Sequence, residues 1–226
     1  MKSIRLRDGK ERSLLRGHPW VFQGSVDKGK ADPGETVRVE SATGEFLAWA
    51  SFSPSSMIRV RAWSFDEAER IDADFFAGRI RAAVALRQRL GIASNGVRLI
   101  HGEADGLPGL IVDRYEDILS VQFLSAGTDR WKATIADALL AETAALGCTR
   151  LYERSDSGVR QLEGLEPAKG WLRGEGSTTI TLYEHDIRLT VDVEEGHKTG
   201  YYLDQRDNRA RFARLVRLLG CKIVLN

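Results

Sequence analysis

The first 65 residues alternate short apolar runs with glycine-containing turns. Such runs are typical of β-strands, because strand side chains point to opposite faces at successive positions. In the run 57–63, Arg59 and Arg61 share the face opposite the apolar residues, so we expect both to point outward. Turns every eight to twelve residues indicate a small β-barrel. The predicted strands are Trp20–Phe22, Thr36–Val39, Phe46–Ala50 and Met57–Trp63.

The period of the apolar positions changes after the charged stretch 66–70, which is the expected domain boundary. Phe76, Ile80 and Val84 recur every four residues, and Gly91 follows where a helix commonly ends. After Gly91, segments with the two-residue alternation of strands and segments with helical spacing both occur, which predicts an α+β region. Its predicted elements are the strands Val97–Ile100, Leu110–Asp113, Ile118–Leu124 and Arg150–Arg154 and the helix Asp129–Leu146.

The last fifty residues predict a hairpin, a helix and a strand. The hairpin strands are Thr179–Tyr183 and Ile187–Val193, and Asp204 is the expected N-cap of a helix that ends at Gly220. Residues 221–226 form an apolar run that predicts a buried strand. Helix, glycine and apolar strand in this order typically open a doubly wound α/β domain. One strand cannot bury both of its faces, so this pattern predicts a chain truncated at that point.

Charge is unevenly distributed along the chain. The formal net charge is +1, but residues 1–65 hold eleven Lys/Arg against seven Asp/Glu. A basic head on an otherwise acidic chain indicates nucleic-acid binding, although an ordinary solvated face is the alternative. The predicted RNA-binding residues are Lys2, Arg5, Arg7, Lys10, Arg16, Arg59 and Arg61.

Composition excludes several other classes of protein. Cys148 and Cys221 are too few for a disulfide framework, and no run is long and apolar enough to span a bilayer. The basic N-terminus lacks the apolar centre of a signal peptide. The sequence therefore predicts a cytoplasmic protein without a membrane segment.

Several longer motifs resemble one family, the large-subunit ribosomal RNA cytosine-C5 methyltransferases, which are class I enzymes that use S-adenosylmethionine (SAM). The strongest motif is GHKTGYYLDQRDNR, residues 196–209. The other motifs lie in the same order as in the family: GHPWVFQGS (17–25), FLAWASFSPSSMIRVRAW (46–63), GEADGLPGLIVDRY (102–115) and ERSDSGVRQLEGL (153–165).

The resemblance implies three domains. These are a PUA-like RNA-binding β-barrel at residues 1–70, a central β-β-α-β-β domain at 71–175, and the start of a Rossmann-like methyltransferase domain at 176–226. It also implies large-subunit rRNA as the partner, leaves a homodimer open, and places the cofactor loop beyond residue 226. A stand-alone RNA-binding adaptor without catalytic activity is the alternative. The residues implied to line the SAM pocket are Lys198, Thr199, Tyr201, Gln205 and Arg206.

Cytosine-C5 methylation requires a cysteine thiolate that adds to the base and a group that removes the C5 proton. Cys148 follows a helix-ending glycine and Cys221 begins an apolar run, so both are interpreted as packing residues. No catalytic residue is assigned within this chain. Glu103 and Asp105 lie in a Gly/Pro-rich turn that explains them without a metal ion, and no metal site is predicted.

Overall fold

A computed structural model describes residues 2–224 of the chain. Its N-terminal sheet has the strand order β2-β6-β5-β4-β1-β3, with β1 and β4 parallel and the other neighbours antiparallel. A short helix, α1 (Arg12–Leu15), lies between the first two strands. The strands are β1 (Ser3–Leu6), β2 (Trp20–Phe22), β3 (Val26–Lys28), β4 (Thr36–Glu40), β5 (Phe46–Phe52) and β6 (Ile58–Ser64).

This sheet curls into a half-barrel. Its edge strands are β2 and β3, and only the turn Gln23–Ser25 separates them in sequence, so the two edges must lie close together. Alternate residues fill the inside, as the burial of Val37 and Val39 in β4 illustrates. The four predicted strands are confirmed to within two residues at each end. Strands β1 and β3 were not predicted; they are only four and three residues long, which is too short for a clear periodic signal.

The central sheet has the order β11-β10-β9-β8-β7, in which only β9 and β10 run parallel. Helices α2 and α4 pack against each other, and Phe76, Ile80 and Leu139 lie in one core with Ile100 and Val121 of the sheet. The elements are α2 (Ala73–Arg89), β7 (Gly96–His101), β8 (Leu110–Tyr115), β9 (Ile118–Phe123), α3 (Ala126–Arg130), α4 (Lys132–Thr143), β10 (Arg150–Ser155), α5 (Val159–Leu162) and β11 (Ala168–Arg173).

Two predictions for this region need correction. The β-β-α-β-β order is incomplete, because the sheet has three strands before α3 and α4 and two after them. The single helix predicted for residues 129–146 is broken at Trp131 and ends in a 3-10 turn at Ala144–Leu146. Ser125 caps the N-terminus of α3 in a reciprocal hydrogen-bonded box with Thr128, so the helix begins at Ala126, three residues before the predicted start. The boundaries at residues 70 and 175 stay predictions.

The third sheet is the hairpin β12 (Thr179–Glu184) and β13 (Ile187–Asp192). It lies against one end of the central sheet, where Ile180, Leu182 and Val191 pack with Tyr115 and Tyr152. The predicted hairpin is confirmed. The final helix is α6 (Arg206–Leu218), after a 3-10 turn at Leu203–Gln205.

The end of the described chain differs from the sequence prediction. Residues 221–224 form no strand and Cys221 is exposed, while residues 225 and 226 lie outside the described residues. A strand forms only where a neighbour pairs with its backbone groups, and apolar sequence does not supply that neighbour. Asp204 does not cap α6, because its carboxylate accepts hydrogen bonds from Lys198.

Candidate functional site

The segment 196–201 forms a tight loop after β13. His197 and Gly200 pair across it, Lys198 has a positive φ of 60°, and Gly200 has a φ of 146°. A Cβ at position 196 would collide with the carbonyl oxygens of Gly200 and Asp192. The glycines of this motif therefore serve backbone geometry, because the loop closes more tightly than a side chain permits.

A buried polar network fixes this loop to strand β8. Asp113 is fully buried and accepts two hydrogen bonds from Arg98, both at 2.9 Å, and one from the Thr199 hydroxyl at 2.5 Å. The Tyr115 hydroxyl lies 3.1 Å from Thr199 Oγ1, accepts a bond from the Tyr201 backbone N–H at 2.9 Å, and lies 3.2 Å from the Tyr201 carbonyl oxygen. Charged hydrogen bonds in a buried network strongly restrict conformation.

The electrostatics of this network follow from its burial. Burial raises the pKa of the Tyr115 hydroxyl far above its ordinary value, and the adjacent Asp113 carboxylate raises it further. Hydrogen bonding to Asp113 raises the pKa of Arg98. Tyr115 therefore stays a neutral donor and acceptor, and Arg98 stays charged, over the physiological pH range.

The five residues predicted to contact a cofactor divide into two groups. Thr199 is buried and bonded to Asp113, and the ring of Tyr201 lies against the Arg209 guanidinium, 4.6 Å from ring centre to Cζ. The other three reach the surface: Lys198, Gln205 and Arg206. Thr199 is therefore unavailable to a ligand, and its hydroxyl holds the loop instead.

Two clefts adjoin the loop. The larger, of about 470 Å³, is polar and is bordered by Arg98, Arg154 and Lys198, with Asp156 as the acidic member. Arg154 is buried and donates hydrogen bonds to the carbonyl oxygens of Val193 and Gly196. The smaller cleft, of about 140 Å³, contains Arg206.

The predicted RNA-binding cations also divide into two groups. Lys2 pairs with Asp32 and Glu35, and Arg5 pairs with Glu40. The prediction that Arg61 points outward is wrong: it is only 7% exposed and donates to Glu163 at 2.6 Å. Strand alternation correctly gave it the face opposite Val60, but a second layer covers that face, which periodicity cannot detect.

The remaining cations are more accessible. Lys10 and Arg16 are exposed, and Arg7 and Arg59 border an open cleft of about 720 Å³ beside β3. Lys30 also lines this cleft and was missed by the sequence reasoning. The only signal for it was its position beside Gly29, whose φ of 114° marks a sharp turn at the end of β3.

Known proteins resemble this chain both in its N-terminal domain and over nearly its whole length. Residues 4–65 match the family model of the PUA-like domain. The chain is 48% identical to ribosomal RNA large subunit methyltransferase I of Shewanella denitrificans over 95% of its own length, and 47% identical to that of Erwinia tasmaniensis over 96%. The chain is therefore similar, over nearly all of its own length, to proteins that carry this name. It spans about half the length of the curated relatives it matches, 55% and 56% respectively.

Solved structures share the fold of this chain. A candidate SAM-dependent methyltransferase from Streptococcus mutans superposes with a TM-score of 0.78 at 19% identity, covering 93% of this chain and 54% of that chain. A second candidate methyltransferase, complexed with SAH, gives a TM-score of 0.77 at 18% identity, covering 92% and 52%. At these identities the likeness is one of fold.

A buried ion pair joins the PUA-like domain to the region around the central sheet. Glu163 accepts hydrogen bonds from Arg61, from the Ser53 hydroxyl at 2.7 Å and from the Ala126 backbone N–H at 3.2 Å. Burial by itself raises the pKa of Glu163, but the Arg61 charge and the hydrogen bonds outweigh it and hold the pKa below its ordinary value. Sequence reasoning missed this contact because its two residues are far apart in the chain.

The cysteines and the acidic residues offer little reactive chemistry. Cys148 is buried, as predicted for a packing residue, and burial raises the pKa of its thiol. Within residues 2–224, no group of three or more His, Cys, Asp or Glu side chains is arranged to hold a metal ion. No helix in the same range has the length and apolar character needed to cross a membrane.

Proposed function

We propose that this chain provides RNA recognition and one wall of the cofactor site in a SAM-dependent methyltransferase of large-subunit rRNA. The identity of 48% to a large-subunit rRNA methyltransferase over 95% of the chain carries this proposal. The tightly held 196–201 loop supports it, because a binding loop gains precision when a rigid network fixes its backbone. The cytoplasmic location and the homodimer stay predictions.

Three residues beside the loop that reach the surface carry groups able to bind parts of SAM. Lys198, Gln205 and Arg206 offer an ammonium, an amide and a guanidinium, which match the carboxylate and hydroxyl groups of SAM. Thr199 and Tyr201 would act indirectly, by holding the loop on Asp113 and Tyr115. Of the three, only Arg206 lines the cleft of about 140 Å³, which is smaller than the roughly 300–1,000 Å³ typical of small-molecule sites, and Lys198 lines the larger polar cleft. We therefore infer that these residues form only part of one wall of a SAM site. When bound, SAM supplies an electrophilic methyl group.

Cytosine C5 is the proposed target atom, from the motif resemblance given above. The thiolate that this reaction needs is not assigned to Cys148, whose buried thiol has a raised pKa. The described residues are proposed to bind and orient RNA and to hold the cofactor-side loop. The polar cleft of Arg98, Arg154 and Lys198 borders this loop, but each of these cations is already paired with a carboxylate, so we do not assign RNA phosphate binding to it.

Fluorescence anisotropy with the 226-residue chain and labelled fragments of large-subunit rRNA tests this proposal. If about three cations contact phosphates, affinity should fall roughly 20- to 40-fold between 50 and 200 mM salt, because each contact releases counterions. A labelled DNA duplex of equal charge is the control, and it should bind more weakly. Absence of rRNA binding at 50 mM salt would contradict the proposal.

A further inference from the structure

The cleft beside β3 has the dimensions of a ligand site. Its volume is about 720 Å³, within the roughly 300–1,000 Å³ typical of small-molecule pockets. The turn Gln23–Ser25, the residues after β3 and the loop between β5 and β6 surround it. Gly29 shapes one wall, because a Cβ at its φ of 114° would collide with the Ser3 carbonyl oxygen.

Three cations border this cleft: Arg7, Lys30 and Arg59. In the described part of the chain, none of the three has an ion-pair partner, whereas Lys2 and Arg5 of the same half-barrel are paired. Arg59 is held in place by hydrogen bonds to the Ser53 and Pro54 carbonyl oxygens. Uncompensated positive charge around a concave surface attracts an anion.

The rest of the cleft is apolar. Met57 is 69% exposed, although its neighbours along the chain continue into the buried strand β6. Pro54 and Phe52 extend this apolar surface, and the Arg59 guanidinium lies 5.9 Å from the Phe52 ring centre. Unstacked RNA bases stack on aromatic rings or on Arg guanidinium planes. Here the Arg59 guanidinium supplies such a plane, and the exposed Met57 side chain adds an apolar contact beside the cations.

We propose that this cleft binds one unpaired nucleotide of RNA. The base lies against Met57 and Arg59, and Arg7 and Lys30 contact the flanking phosphates. A base inside a duplex is stacked and paired, so it cannot enter the cleft; the site therefore selects single-stranded RNA. This inference rests on the proposed RNA-binding function and adds the kind of RNA and the residues that recognise it.

Fluorescence anisotropy with the 226-residue chain tests whether this cleft binds single-stranded RNA. The probes are a labelled 12-nucleotide single-stranded RNA of mixed sequence and a blunt RNA duplex of the same length. We expect tighter binding of the single strand, at least a tenfold loss for the double variant Arg7→Ala/Lys30→Ala, and about a fivefold loss for Met57→Ala, which is the lower end of the base-stacking range. All three residues are exposed, so these variants should fold normally.

Arg38→Ala is the matched control, because it removes a cation of the same half-barrel that already has two carboxylate partners and was not predicted to bind RNA. It should change the affinity less than twofold. If the Arg7→Ala/Lys30→Ala variant bound RNA as tightly as the wild type, the assignment of nucleotide binding to this cleft would be wrong, while the proposed RNA-binding function would stand. Equal binding of single strand and duplex would overturn the base-insertion step. Failure of the wild type to bind any RNA would overturn the proposed function itself, and with it this inference.

Discussion

Removing the Glu163 carboxylate should destabilise the protein more than any exposed charge change. Glu163 is 2% exposed and accepts three hydrogen bonds, including that of Arg61 at 2.6 Å. In the variant Glu163→Ala, the buried Arg61 would keep only Glu103, at 3.9 Å, as a nearby carboxylate. Leaving one charge of a buried pair without its partner costs about 3–5 kcal/mol of unfolding free energy.

For a chain of this length, 1 kcal/mol corresponds to roughly 2–4 °C in Tm. Glu163→Ala should therefore lower Tm by about 6–20 °C in thermal unfolding followed by circular dichroism. The control is Asp137→Ala, which removes an exposed partner of Arg173 and should cost at most about 1 kcal/mol. Adding Arg61→Met to Glu163→Ala should recover roughly half of the loss, because the orphaned charge is gone.

A Tm within about 2 °C of the wild type for Glu163→Ala would refute this reasoning, because it would mean that water solvates Arg61 at this junction. The pH dependence of the unfolding free energy supplies an independent check. The pKa of Glu163 is lowered in the folded state, so its stabilisation is present above its unfolded pKa of about 4.3 and is lost as the pH falls through the folded pKa. The stability difference between wild type and Glu163→Gln should therefore shrink below about pH 4.

Three further predictions concern the other sites. Asp113→Asn should speed backbone amide exchange at residues 199–201 at least tenfold, because a charged hydrogen bond is worth about 1.5–3 kcal/mol; unchanged exchange would show that the loop holds without it. Ellman's reagent should label Cys221 quickly and Cys148 only after unfolding, and two fast thiols would contradict the burial of Cys148. Calorimetry should detect weak or no SAM binding to this chain, because the cleft at Arg206 encloses only about 140 Å³; micromolar binding or methyl transfer would reveal a more complete site.

The positions of most strands and helices could be predicted because local patterns determine them. The hairpin β12–β13 and the helix α2 are examples: apolar periodicity and turn residues predicted both of them. The 196–209 motif was also found from sequence, because a run of unusual residues in one order is visible without coordinates.

The role of individual charged residues could not be predicted from the same patterns. Lys2, Arg7 and Arg61 were equivalent as basic residues of the head, yet one is paired at the surface, one borders an open cleft and one is buried. Whether a charged side chain is paired depends on the charges close to it in space, and those charges come from distant parts of the chain. Thr199 illustrates the same limit, because its partner Asp113 lies on strand β8, 86 residues earlier in the chain.

The sequence by itself therefore determined the positions of most strands and helices, the basic head and the motif at 196–209, since these depend on neighbouring residues. The tertiary structure decided which cations are free to meet RNA, which residues of the loop can reach a ligand, and how the PUA-like domain is joined to the central sheet through Arg61 and Glu163. The physical reason is that burial and ion pairing depend on three-dimensional packing, which brings together residues that are remote in sequence.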